Sequence, residues 1–138
     1  MPDVTLALLI DRLMRRMHGS LHAKAPQFDT ERLGPANCMI LLTLGDMGPT
    51  GIQDLTRRVG RDKSQMTRSI QLMERRGLLA RAPSPSDARV SVVSLTPSGA
   101  AMVDMLRRVL AETIDEVLDP ISASERAALT EVLSRVMP

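Results

Sequence analysis

Aromatic residues are almost missing from this chain of 138 residues: Phe28 stands alone, with no tryptophan and no tyrosine. Proteins that hold single-stranded nucleic acid or RNA stack bases on aromatic side chains, so this scarcity argues against them. Ten methionines occupy the gap, as flexible side chains that fill irregular interior space. A single cysteine, Cys38, excludes an internal disulfide framework and suits a reducing cytoplasm. No run approaches the roughly 18 uninterrupted apolar residues that a membrane span needs. The opening segment MPDVTLALLIDRLMRR has an apolar patch, but Asp3 and Asp11 flank it and no small-residue cleavage site follows. It reads as a helix and not as a secretion signal.

What is present is a core and an uneven distribution of charge. Hydrophobic residues make up 43% of the chain, enough for one packed domain with an appended association element. The net charge is only +2, yet Thr50–Leu95 holds nine Lys/Arg against four Asp/Glu, and the rest of the chain is net acidic. A basic middle between mildly acidic ends is expected where one module faces a polyanion and the remainder does something else.

Periodicity predicts the elements. Leu6, Leu9, Ile10, Leu13, Met14, Met17 and Leu21 draw one apolar stripe on a first helix, which a break at Ala25–Pro26–Gln27 ends. Gly34–Pro35 opens a second helix, whose nearly continuous apolar body around Cys38–Leu42 belongs at the centre of the fold. Thr50 with Gln53, Asp62 with Gln65 and Ser122 with Glu125 have the spacing of capping boxes, in which a side chain at each end satisfies a free amide. They start a short third helix, a fourth reaching about Arg76 before the stop at Gly77, and the last helix. Leu78–Arg81 and Arg89–Leu95 bracket a turn-rich tip and form a hairpin. Thr96–Pro97 then caps a long fifth helix that Asp119–Pro120 stops. The expected fold is mainly α with a small β-hairpin wing: a winged helix-turn-helix over 34–97, with helices in 1–25 and 98–138 left to associate.

On the fourth helix, Met66, Ile70 and Met73 fall on one side with Ser69, while Ser64, Arg68, Gln71 and Arg75 fall opposite, flanked by Gln65 and Thr67. Any surface helix needs a polar face, and a solvated face is the plain alternative. The outward line, however, carries donors and acceptors suited to base edges and phosphates, and no carboxylate. At the hairpin tip, Arg89 can enter a minor groove with Asp87 bracing it; a turn with an incidental ion pair is the alternative there.

Residues 61–79, then Asp87–Ala88–Arg89, then Ser94–Leu95–Thr96–Pro97–Ser98–Gly99 resemble the MarR family of bacterial regulators, with its recognition helix, Asp-x-Arg wing and Leu-Thr-x-x-Gly helix start. The resemblance implies that Ser64, Gln65, Thr67 and Arg68 read the major groove of double-stranded DNA, that Arg89 enters the minor groove, and that Asp87 holds the wing. It implies a homodimer built by the outer helices, with two recognition helices about 34–36 Å apart on a pseudo-palindrome. It also implies repression answering to a small-molecule effector near Arg15, Met17, His18 and Met39. The tip Ser84–Pro85–Ser86 is less basic than is usual in the family, and the effector region lacks stacking aromatics.

Weaker signals remain. His18 and His22 lie one turn apart and could share a metal only if Cys38 or a carboxylate completed the site, so no metal or cofactor is assigned. Cys38 lies in an apolar run, where a cysteine is usually inert packing and not a sensor. No nucleophile elbow, phosphate loop or zincin motif points to an enzyme. The competing reading is a winged-helix interaction module without DNA binding.

Overall fold

The computed structural model describes residues 2–137. Its elements run α1 (Val4–Phe28), α2 (Pro35–Met47), β1 (Thr50–Gly51), α3 (Ile52–Val59), α4 (Lys63–Arg75), β2 (Leu79–Pro83), β3 (Ser91–Leu95), α5 (Pro97–Val117) and α6 (Ala123–Val136). The chain divides into two compact units, one of Met1–Ala23 with Val109–Pro138 and the other of Lys24–Arg108.

The 24–108 unit is built around α2. Gly34 enters with a positive φ of 87°, Pro35 stands in the first turn, and Cys38, Ile40, Leu41 and Leu44 are buried. Leu55 from α3, Met66, Ile70 and Met73 from α4, Val93 from β3 and Val103 from α5 complete an interior in which each of these side chains is at most 1% exposed. Removing such side chains from water is the dominant favourable term, about 1.5–3 kcal/mol for each large one. A three-stranded antiparallel sheet in the order β1-β3-β2 closes the unit, with Thr50 opposite Val93 and Leu79 opposite Leu95.

The Leu-Thr-x-x-Gly motif has a physical basis here. Thr96 Oγ1 accepts from the Gly99 amide at 3.1 Å and donates to the Gly77 carbonyl at 2.6 Å, so one hydroxyl caps α5 and ties it to the end of α4. A Cβ on Gly99 would stand 2.1 Å from the Leu78 carbonyl oxygen, which leaves room for glycine alone.

The other unit buries much less. Val109, Thr113 and Val117 on α5 are buried, with the Thr113 hydroxyl donating to the Val109 carbonyl at 2.8 Å. Ser20 of α1 donates to Glu116 of α5 at 3.3 Å, and Arg126 of α6 pairs with Asp115 at 2.6 Å. Ser122 and Glu125 form the full capping box at the start of α6. Val4, Leu6, Leu8, Leu9, Ile10, Leu13 and Met14 on α1 and Val132, Leu133 and Val136 on α6 are all exposed.

Three expectations need correction. Helix α1 does not break at Pro26 but continues to Phe28, with the Asp29 amide donating to Ala25 O at 2.7 Å. Proline removes only one helical hydrogen bond, in the last turn, and buried Phe28 holds that turn in place. Thr50 is not the cap of α3: it pairs with Val93 in β1, Gly51 occupies the cap position, and no side chain caps the helix. Strand β3 starts at Ser91 and not at Arg89, because Asp87–Val90 is spent on the turn, closed by the Val90 amide donating to Asp87 O at 3.0 Å.

Candidate nucleic-acid interface

Helix α4 begins where Asp62, in extended backbone (φ −70°, ψ 157°), accepts the Gln65 amide at 2.9 Å. It ends in a tight reversal: Gly77 adopts φ 72°, its amide donates to Glu74 O, and the Leu78 amide reaches back to Met73 O at 2.9 Å. Both ends are thus fixed by local hydrogen bonds that the sequence encodes. Between them the two faces separate as the periodicity requires. Met66, Ser69, Ile70 and Met73 are buried, and Ser64, Gln65, Thr67, Arg68, Gln71 and Arg75 are exposed.

The polar face has a definite chemistry. Thr67 donates its hydroxyl proton to Lys63 O at 2.9 Å, which leaves its oxygen as an acceptor. Arg68, Arg75 and Lys63 have no ion-pair partner among the described residues. Glu74, the carboxylate nearest this face in sequence, is paired with Arg81 of β2 at 3.4 Å, which offsets its repulsion of an anion. On the inner side, Arg61 reaches from the α3–α4 turn to Ser69 Oγ at 3.5 Å. Neither of these contacts is visible in the sequence, since separations of seven and eight residues across a turn follow no helical or strand period.

The wing is β2 and β3 in register from Leu79–Leu95 to Pro83–Ser91, extended by the Ser84 amide donating to Val90 O at 2.8 Å. At its tip the Asp87 carboxylate accepts from the Arg89 amide at 3.0 Å and from the Arg89 guanidinium at 3.2 and 3.5 Å. These bonds, with the side-chain pair the stronger cause, hold the Asp87 carboxyl below the usual range. The Arg89 side chain is 91% exposed, with its guanidinium held at the tip by Asp87.

The other candidates are placed less suggestively. Arg15, Met17 and His18 lie in one unit and Met39 in the other; Arg15 pairs with Asp11 at 2.8 Å, and Met39 is 46% exposed. A shallow depression of about 490 Å³ on α6, lined by Ala123, Arg126, Ala127 and Thr130, contains none of the four. His18 and His22 are exposed, and among the described residues no three His, Cys, Asp or Glu gather to hold a metal. Cys38 is buried, and burial, helped by the neighbouring Asp29 carboxylate, pushes its thiol up to about 12. It therefore stays protonated and unreactive near neutrality.

Residues 33–91 match the MarR family model and take in α2, α3, α4 and most of the wing. Over that segment the chain is similar to the winged helix of the MarR family. A curated relative, the uncharacterized HTH-type transcriptional regulator YdgJ of Bacillus subtilis, is 31% identical over 83 residues, which cover 60% of this chain. The chain spans about half (51%) of that relative's length. A probable transcriptional regulator from Pseudomonas aeruginosa superposes with a TM-score of 0.77 at 25% identity, covering 99% of each chain. A cysteine-to-serine mutant of E. coli MarR complexed with operator DNA has the same fold, with a TM-score of 0.78 at 22% identity over 98% of this chain and 95% of that one. The six helices and small antiparallel sheet of the described residues fit the fold of these solved structures. Among the described residues no helix is long and apolar enough to cross a membrane.

Proposed function

We propose that this chain is a sequence-specific, double-stranded DNA-binding regulator of the MarR family that acts as a homodimer on a pseudo-palindromic operator, as a repressor answering to a small molecule. One observation carries the reading: α4 turns an exposed row of Ser64, Gln65, Thr67, Arg68, Gln71 and Arg75 outward from a buried face of Met66, Ser69, Ile70 and Met73. That row has base-reading amides and hydroxyls, free guanidinium groups and no unpaired acid. Arg89 on the wing adds a second cation for a groove beside it. In this reading 34–97 is the reading head, and 1–25 with 98–138 makes the dimer. Support for the dimer comes from the exposed apolar side chains of α1 and α6, since contiguous apolar surface of this kind marks association sites.

The test is selection of bound duplexes from a randomised library, followed by titration of the enriched sequence at several salt concentrations. Affinity should fall steeply and linearly on a log–log salt scale. Arg68→Ala should weaken binding by about 5–100-fold and relax the preferred sequence, as loss of a base contact does. Arg89→Ala should weaken it as well. Wild-type affinity in both variants would overturn the site assignment, and a flat salt response would turn the reading toward a protein-interaction module. Adding phenolic acids, oxidants or zinc to the titration tests effector response.

A further inference from the structure

The C-cap residue of the recognition helix grips a loop distant in sequence. Arg76, at the C-cap of α4, donates from one guanidinium nitrogen to the Glu31 main-chain carbonyl at 2.7 Å and lies 3.3 Å from the Glu31 carboxylate. The partners are 45 residues apart in sequence, and both belong to the 24–108 unit. Adjacent Arg75 has no ion-pair partner among the described residues. Two neighbouring exposed arginines thus differ, one without an ion-pair partner and one tied to a loop.

The loop that Arg76 grips is stiff. The Asp29 carboxylate accepts the Leu33 amide at 2.7 Å and the Gly34 amide at 2.9 Å, and the Arg32 amide donates to Asp29 O at 3.2 Å. Arg32 holds φ 53°, the one positive value for a non-glycine among the described residues, a conformation that persists only where its surroundings enforce it. The same loop starts at the last turn of α1, through the Asp29 amide on Ala25 O, and ends at the Pro35 start of α2. On its other side, the carbonyl of Gly77, the residue after Arg76, accepts from Thr96. The end of α4 is therefore pinned at two points, to the α1–α2 loop and to the start of α5.

We infer that Glu31 and Arg76 form a strap that sets the angle of the recognition helix from the α1–α2 loop, so that both are positioning residues for DNA reading without touching DNA. The inference rests on the proposed function for its DNA consequence, but the strap can be tested without DNA. A charge-assisted bond to a carbonyl outperforms an exposed ion pair, and its loss should be felt at the helix end.

Plain electrostatics and the strap predict opposite signs for one variant. If Arg76 were a phosphate contact, Glu31→Ala would release it and remove an acid, and binding would tighten. The strap predicts that Arg76→Ala weakens binding to the library-selected duplex by about 3–10-fold, and that Glu31→Ala, which keeps the main-chain carbonyl and loses only the carboxylate, weakens it by about 2-fold. It also predicts that affinity for an unrelated duplex and the salt slope stay as in wild type, whereas loss of a phosphate contact lowers that slope by about one. Without DNA, amide hydrogen exchange of Arg76→Ala should quicken at Gly77 and Leu78 and also in 29–34. Tighter binding by Glu31→Ala, a reduced slope for Arg76→Ala, or unchanged exchange in the loop would each overturn the strap. Should wild type select no duplex while the exchange effect appears across both segments, the strap stands and the DNA reading falls.

Discussion

The two units of this chain treat apolar residues in opposite ways. The 24–108 unit seals Ile40, Leu41, Leu44, Leu55, Met66, Ile70, Met73 and Val93 to 1% exposure or less. The unit of Met1–Ala23 and Val109–Pro138 leaves Leu6, Leu8, Leu9, Ile10, Met14, Val132, Leu133 and Val136 at about half exposure or more. Composition does not separate them, since both are rich in Leu, Val and Met. Topology does: a three-helix set locked by a sheet closes on itself, whereas long helices with apolar residues on several sides do not. One unit is a finished fold; the other leaves the apolar surface that the proposed dimer would cover.

The sharpest way to break this contrast is a cavity in the finished unit. Leu41→Ala removes a side chain that is 1% exposed from the centre of α2 and should cost about 2–5 kcal/mol. A urea melt followed by circular dichroism reads the loss, and a change under about 1 kcal/mol would mean that the interior is not close-packed. Next in size is a charge pair on the open unit. Leu9→Glu with Leu13→Glu alters side chains 53% and 37% exposed, so a lone chain should tolerate it. In the proposed dimer, burying those carboxylates disfavours association, and sedimentation equilibrium at micromolar concentration should move from dimer to monomer. A variant that sediments as wild type would place the interface elsewhere.

How much of this could be read in advance follows the range of each interaction. The Asp62 cap, the Gly77 stop, the Ser122–Glu125 box and the Thr96–Gly99 start act within four residues, and each stands where the sequence puts it. The two faces of α4 were legible for the same reason: a period of 3.6 is a local property. Strand β1 was not, because two residues carry no period and Thr50 has the look of a cap until Val93 arrives to pair with it. Pro26 misled because a proline signal is local, whereas burial of Phe28 is a tertiary effect. The Arg76–Glu31, Arg81–Glu74 and Arg61–Ser69 contacts join residues that only the fold brings together.

The smallest expected effect concerns the most exposed part of the finished unit, the wing tip. The Asp87 carboxyl is held below its usual value of 3.8 by hydrogen bonds from the Arg89 side chain and amide. Since the folded value is the lower one, the favourable contribution is fully present above about 3.8 and drains away as pH falls through the folded value. The pair is open to water, so global stability should barely respond, and the readout must be local. An NMR titration of the Asp87 side-chain carboxyl carbon should show a midpoint below the ordinary carboxylate range, and Arg89→Ala should move it upward while the melting temperature stays put. A midpoint indifferent to Arg89 would mean that the tie is absent in solution and that the arginine swings freely. A shift accompanied by unfolding would mean that the tip is integral to the sealed unit and not an appendage to it.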